Sequence, residues 1–144
     1  MPAEPEVDTF TYEEFGQGIR WLAEQLVARD WIPDTILGVV RGGLFVSAAL
    51  AYALDIKDVR HINIEYYTDA GVMLPTPVIV GHQPDLSDLG GRRVLVADDV
   101  ADTGATLQFV RSLLPDDAIV HVAVLYEKPQ TTYSDRKSTR LNSS

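Results

Sequence analysis

One stretch, from Arg93 to Leu107, constrains this chain more than any other. The apolar run Val94-Leu95-Val96-Ala97 ends in two adjacent carboxylates, Asp98 and Asp99, and a third, Asp102, follows three residues later. Thr103-Gly104-Ala105-Thr106 comes next, and then Leu107, Val110, Leu113 and Leu114 at helical spacing. An apolar run without alternation is buried on both faces, as strands of a parallel sheet are. A helix follows at once. The stretch therefore reads as strand, acidic loop, phosphate cradle and helix, and it commits the chain to strand–loop–helix units.

The other segments fit that plan. Thr11-Tyr12-Glu13-Glu14 is a capping-box pattern, and Phe15, Ile19, Leu22 and Leu26 continue it as a helix of about 17 residues. Trp21 on that helix is expected to pack rather than to touch a ligand. Thr35–Val40 reads as a second buried strand, Arg41-Gly42-Gly43 as a glycine-rich loop, and Leu44–Leu54 as a helix. The two glycines permit close backbone approach to a ligand, and Arg41 can pair with phosphate oxygens. Val59–Tyr67 alternates as a strand does, with His61 an ordinary member of it. Residues 68–92 carry Gly71, Pro75, Pro77, Gly81, Pro84, Gly90 and Gly91 around the short run Val78-Ile79-Val80. They read as a long loop or an edge hairpin. Ala118–Tyr126 is a last buried strand, and Pro129 after it leaves Lys128 near its carboxyl end.

Strands alternating with helices give an α/β class, a mainly parallel sheet flanked by helices. Ligands of such sheets bind beyond the carboxyl ends of the strands. Arg41-Gly42-Gly43, Tyr66, the Asp98–Thr106 loop and Lys128 all fall there.

Composition narrows the function. The chain has 144 residues, enough for one domain with a sizeable core, and a formal net charge of −9. No Lys/Arg cluster occurs before residue 135, so no nucleic-acid partner is expected. An anionic ligand would need backbone N–H groups, placed basic side chains or a bridging cation. There are no cysteines, no apolar run long enough to span a membrane, and no secretory signal pattern at the start. A cytoplasmic protein is expected.

Two adjacent carboxylates at the end of a buried strand repel each other and resist desolvation. The vicinal hydroxyls of a ribose, or Mg²⁺, would neutralise them. The helix opened by Thr103–Thr106 favours a phosphate monoester at its N-terminus. A ribose 5′-phosphate fits that spacing. The plainer alternative, Asp102 or Thr103 as a simple N-cap, leaves the carboxylate pair without a role.

Val94–Leu107 closely resembles the signature that binds phosphoribosyl diphosphate (PRPP) in type I phosphoribosyltransferases, an apolar strand followed by Asp-Asp-x-x-Asp-Thr-Gly-x-Thr. Arg41-Gly42-Gly43 and Lys128-Pro129 are similar to segments of the bacterial xanthine-guanine and hypoxanthine branch. The resemblance spans residues 11–130 and implies a Rossmann-like core. It implies that Arg41, Gly42 and Gly43 hold the diphosphate. Asp98 and Asp99 would bind the ribose hydroxyls, directly or through Mg²⁺ and water. Thr103, Gly104, Ala105 and Thr106 would cradle the 5′-phosphate. Asp102 would take up a proton from the attacking nucleobase, and Lys128 would hydrogen-bond the 6-oxo group of a purine. The implied activity is transfer of a 5-phosphoribosyl group from PRPP to a nucleobase, in purine salvage, by a homo-oligomer.

Two departures stand against the family pattern. The mobile loop over the diphosphate commonly carries basic residues, yet residues 66–91 hold no Lys or Arg. After Pro129 only Tyr133 could supply the aromatic that stacks on a purine. Residues 135–144 hold three of the twelve basic residues with no apolar pattern, and resemble a translated sequencing-adapter fragment. The expectation is one domain over 1–134 with an incomplete C-terminal hood, and a non-native tail over 135–144. Two other readings stay open. One is a non-catalytic PRPP- or nucleotide-sensing module on the same fold. The other is an unrelated α/β phosphate binder with an acidic pocket.

Overall fold

The computed structural model describes residues 11–67, 73–101, 104–127 and 140–143. Asp102, Thr103, Lys128, Tyr133 and residues 1–10 lie outside them, as do residues 68–72.

Helix α1 (Tyr12–Ala28) starts at the capping box that the sequence spells. The Glu14 amide donates to Thr11 Oγ1 at 3.0 Å, and the Thr11 amide donates to Glu14 Oε1 at 3.4 Å. Two N–H groups that the helix cannot satisfy internally are thereby met. Ile19, Leu22 and Leu26 form the helix's buried stripe, whereas Trp21 is 40% exposed. Trp21 falls to the side of that stripe, more than half covered.

Strand β1 (Thr35–Val40) leads into α2 (Gly42–Leu54), then β2 (Val59–Tyr67) and β3 (Met73–Ile79). After a short 3₁₀ turn (Ser87–Leu89) come β4 (Arg93–Ala101), α3 (Ala105–Leu113), β5 (Ile119–Glu127) and β6 (Arg140–Ser143). The six strands lie in the order β3-β2-β1-β4-β5-β6. The central strands β2, β1, β4 and β5 are parallel, and the edges β3 and β6 are antiparallel to their neighbours. The α/β class with a mainly parallel sheet is therefore the architecture observed. Residues 73–79 resolve the choice left by the sequence: they are an edge strand paired with β2, a position where Pro75 and Pro77 are tolerated. Arg140–Ser143, within the segment expected to be a non-native tail, is paired with β5.

Alternation of side chains divides the core in two. On one face Leu37, Val39, Val94, Val96, Val120, Val122 and Val124 pack with Val110 and Leu114 of the α3 region. On the other, Ile36, Leu95, Ala97, Ala123 and Leu125 pack with Leu22 and Leu26 of α1 and with Val46 and Leu50 of α2. Leu22, Leu26 and Leu50 are fully buried, so truncating any of them to Ala would cost about 2–5 kcal/mol. On the α1 side, Trp31 stacks on His121 with ring centroids 4.0 Å apart.

One polar cluster pins the start of the sheet to the turn before β4. The Arg60 guanidinium donates to both Asp58 oxygens, both Asp88 oxygens and the Asp85 carbonyl. Thr35 Oγ1 donates to Asp58 as well, at 2.8 Å. The arginine holds both carboxyls below the usual carboxylate range, Asp88 at about 2.

Candidate active site

The chain runs from β1 outward to β2 and β3, then returns to the other side of β1 to form β4 and β5. The carboxyl ends of β1 and β4 thus flank the point where strand order reverses, the crevice where ligands of such sheets bind. Two strand–helix units open into it.

The first is β1–α2. Its glycines sit where side chains have no room. A Cβ on Gly43 would collide with the Ala97 carbonyl oxygen of β4, with the Asp98 Cα also at 3.3 Å. A Cβ on Gly42 would collide with the Asp99 carboxylate. The first turn of α2 therefore lies against the end of β4, and Asp99 lies at the N-terminus of α2. A negative group is favoured there, because helix N–H groups point outward and the dipole is positive. Arg41, joined to Val40 by a cis peptide, is exposed just before the helix.

A polar pair, Ser47 buried and His61 half-buried, holds this turn from behind. Ser47 Oγ donates to the Leu44 carbonyl at 3.0 Å and lies 3.2 Å from His61 Nε2 of β2. A Cβ on Gly38 would stand 2.5 Å from Ser47 Oγ and 2.9 Å from the His61 ring. Sequence reasoning passed over Ser47, His61 and Gly38 as site-supporting residues. A lone glycine inside an apolar strand run was the available signal, since it marks a close approach.

The second unit is β4–α3. The sequence suggested a strand ending at Ala97 and a loop beginning with the carboxylates. Instead β4 continues to Ala101, pairing Asp98 with Val124, Val100 with Tyr126 and Ala101 with Glu127. The pairing of β4 with β1 stops at Gly38–Ala97, so past that point, among the described residues, β4 is paired with β5 alone. Its free edge faces the head of α2. Asp98 and Asp99 are thus strand residues at a half-open edge.

Successive strand residues point to opposite faces. Asp98 follows Val94 and Val96 on the α3 side, and Asp99 follows Leu95 and Ala97 on the α2 side. The two still interact: the Asp99 amide donates to Asp98 Oδ1 at 2.8 Å, and the two side chains share a hydrogen bond. Burial, and then the neighbouring Asp99, push the Asp98 carboxyl up to about 8. The pair therefore resists carrying two negative charges.

Gly104 caps α3 in the left-handed conformation, φ 79°, with open space around it, and Ala105 and Thr106 form the first turn of the helix. Backbone hydrogen bonding within α3 begins at the Gln108 amide, which donates to the Gly104 carbonyl at 3.0 Å. The first turn therefore presents N–H groups outward. The structure brings Gly42 against Asp99 and Gly43 against Ala97 and the Asp98 Cα, leaves Arg41 exposed just before them, and sets Gly104, Ala105 and Thr106 at the head of the helix that follows β4. Asp102, Thr103 and Lys128 fall outside the described residues. Among the described residues no group of three or more His, Cys, Asp and Glu side chains forms a metal cluster, and no helix is long and apolar enough to cross a membrane.

Comparison with known proteins gives the same reading of the fold. The model of the phosphoribosyl transferase domain matches residues 8–142. A purine phosphoribosyltransferase from Pyrococcus horikoshii Ot3 superposes with a TM-score of 0.66 and 33% identity, over 85% of this chain and 78% of that one. A Neisseria gonorrhoeae protein solved with bound ppGpp gives a TM-score of 0.69 at 27% identity, covering 90% and 76% of the two chains. The Helicobacter pylori xanthine-guanine-hypoxanthine phosphoribosyltransferase gives 0.61 at 26%, covering 87% and 80%. With nearly its whole length matched and its strand–helix units meeting at the switch point, the chain belongs to the type I phosphoribosyltransferase family, beside its bacterial xanthine-guanine and hypoxanthine branch.

Proposed function

We propose that this protein transfers a 5-phosphoribosyl group from PRPP to a 6-oxopurine and releases diphosphate. The observation that carries this reading is the contact of the first turn of α2 with the end of β4, Gly42 against the Asp99 carboxylate and Gly43 against the backbone of Ala97 and Asp98. It joins a diphosphate-binding loop and a ribose-binding pair in one crevice. Arg41, with the backbone of Gly42 and Gly43, holds the diphosphate. Asp98 and Asp99 accept hydrogen bonds from the ribose hydroxyls. Thr103, Gly104, Ala105 and Thr106 receive the 5′-phosphate at the head of α3.

The carboxylate pair also suits Mg²⁺. Two oxygen donors, one pushed up to about 8 by burial and by its neighbour, favour a divalent cation. Mg²⁺ is commonly held by one or two carboxylates, with waters and substrate phosphates completing its shell. When bound it would neutralise charge on the leaving diphosphate.

In the reaction a nucleobase nitrogen forms a bond to C1′, and the bond from C1′ to the diphosphate oxygen breaks with its electron pair. Asp102 takes the proton that the nitrogen loses, and Lys128 donates to the 6-oxo group. Fixing donor and acceptor in line supplies most of the protein's contribution. The absence of Lys and Arg from residues 66–91 favours a second reading, a PRPP- or nucleotide-sensing module that binds without turnover. The Neisseria relative's bound ppGpp is compatible with that reading. Diphosphate release in the presence of Mg²⁺, PRPP and guanine, xanthine or hypoxanthine distinguishes them. Release with one of these bases is expected, and PRPP binding without release under all three would leave the sensing module.

A further inference from the structure

Behind the glycine-rich turn, Ser47 is fully buried and its hydroxyl has a single proton to donate. A carbonyl oxygen can only accept, so that proton goes to the Leu44 carbonyl, 3.0 Å away. Ser47 Oγ then has only lone pairs left for His61 Nε2 at 3.2 Å, and the contact is a hydrogen bond when Nε2 carries hydrogen. The network thereby assigns the imidazole as donor. Leu44 in turn donates its amide to the Arg41 carbonyl at 3.0 Å. A chain of hydrogen bonds runs from β2 into α2 and ends on the residue that opens the turn: His61 to Ser47, Ser47 to Leu44, Leu44 to Arg41. Gly38, paired with His61 across the β1–β2 ladder, makes room for it. A Cβ there would stand 2.5 Å from Ser47 Oγ, 2.9 Å from the Gly43 carbonyl oxygen and 2.9 Å from the His61 ring. A serine that only satisfied itself on a carbonyl of its own helix would need neither the histidine nor the glycine.

We infer that Ser47 and His61 are positioning residues for the diphosphate. They hold the Arg41–Leu44 turn in the shape that presents Arg41 and the amides of Gly42 and Gly43 to the leaving group. The inference rests on the reading of this turn, under the proposed function, as the diphosphate loop. Ser47 is buried beneath the turn and acts through the Leu44 carbonyl rather than by touching ligand. Ser47 lies on α2 and His61 on β2, whereas the ribose and 5′-phosphate groups of the crevice lie on β4 and at the head of α3. The pair therefore sets affinity for ligands that carry a diphosphate and leaves affinity for a nucleoside 5′-monophosphate unchanged.

Calorimetric titration of the full chain in Mg²⁺ tests this, with inorganic diphosphate, PRPP and guanosine 5′-monophosphate as ligands and urea denaturation as the control for folding. Ser47→Ala should weaken diphosphate and PRPP about five- to tenfold, the loss of one buried hydrogen bond, and change the monophosphate by less than about twofold. His61→Leu should do the same. The two together should weaken binding little more than either alone, because they break one chain. His61→Gln, whose side-chain amide also donates, should restore most of the affinity. A loss shared equally by every ligand, or confined to the urea midpoint, makes the pair a fold-stabilising contact only and overturns the inference. So does His61→Gln binding as weakly as His61→Leu when both are folded. A wild type that binds the monophosphate but neither diphosphate nor PRPP overturns the assignment of the turn itself, and the inference with it.

Discussion

The two strand–helix units that meet at the switch point are built on opposite principles. In β1–α2 the site is packed: Gly43 leaves no space above the Ala97 carbonyl, and Ser47 and His61 fix the turn from behind. In β4–α3 the site is charged and open. Two adjacent carboxylates crowd one strand end, and Gly104 turns in free space. Packing sets the shape of the first unit whether or not a ligand is bound. The second carries a buried carboxylate that burial and its neighbour push up to about 8. One half is shaped by close packing and the other by a crowded carboxylate pair that a cation or hydroxyl donors would neutralise.

The largest expected effect is a pH dependence that only the charged half should show. Asp98 in the fold titrates at about 8, well above the ordinary carboxylate value. Between those values the native state binds a proton that the unfolded state does not, so stability must fall as pH rises toward 8. Denaturation in EDTA at a series of pH values should show that slope, and Asp98→Asn should flatten it. The Arg60 cluster works in the other sense. Asp58 and Asp88 lie below their ordinary values in the fold, so their contribution is present above about 4 and is lost as pH falls through about 2 for Asp88.

Next in size is a steric contrast within the packed half. Gly43→Ala drives a methyl into backbone and should cost about 1–3 kcal/mol in chemical denaturation. Gly42→Ala meets the end of the Asp99 side chain, which can turn aside. It should lose less stability than Gly43→Ala and more PRPP affinity. Equal losses of stability would mean that the two glycines are packed alike. The smallest effect should fall in the open half. Gly104→Ala meets no atom, so only the left-handed backbone is penalised, at about 1–2 kcal/mol.

Much of the architecture could be read in advance because burial leaves a pattern. The capping box of α1, the apolar runs of β1, β4 and β5, and the α/β alternation all came from side-chain chemistry, and the structure has them. What went unread depended on backbone pairing. Strand β4 runs past its apolar segment because β5 continues beside it, and hydrogen bonding at a half-open edge is indifferent to whether the residue is Val or Asp. Pro75 and Pro77 concealed β3, since an edge strand needs only one side of its backbone. In β6, four mostly polar residues gain pairing from a neighbour rather than from any pattern of their own. The candidate site divides in the same way. Arg41, Gly42, Asp98 and Asp99 stood out by residue type and spacing, whereas the contact of Gly42 with Asp99 follows from the register of β4 beside β1, which no local spacing encodes.

Calorimetric titration of PRPP into this chain, with and without Mg²⁺, tests the joint site most directly. The account predicts saturable binding of one PRPP per chain. Asp98→Asn with Asp99→Asn should weaken it at least a hundredfold, about 2.7 kcal/mol, while the ligand-free protein stays folded. PRPP bound by that double variant as tightly as by the wild type would contradict it.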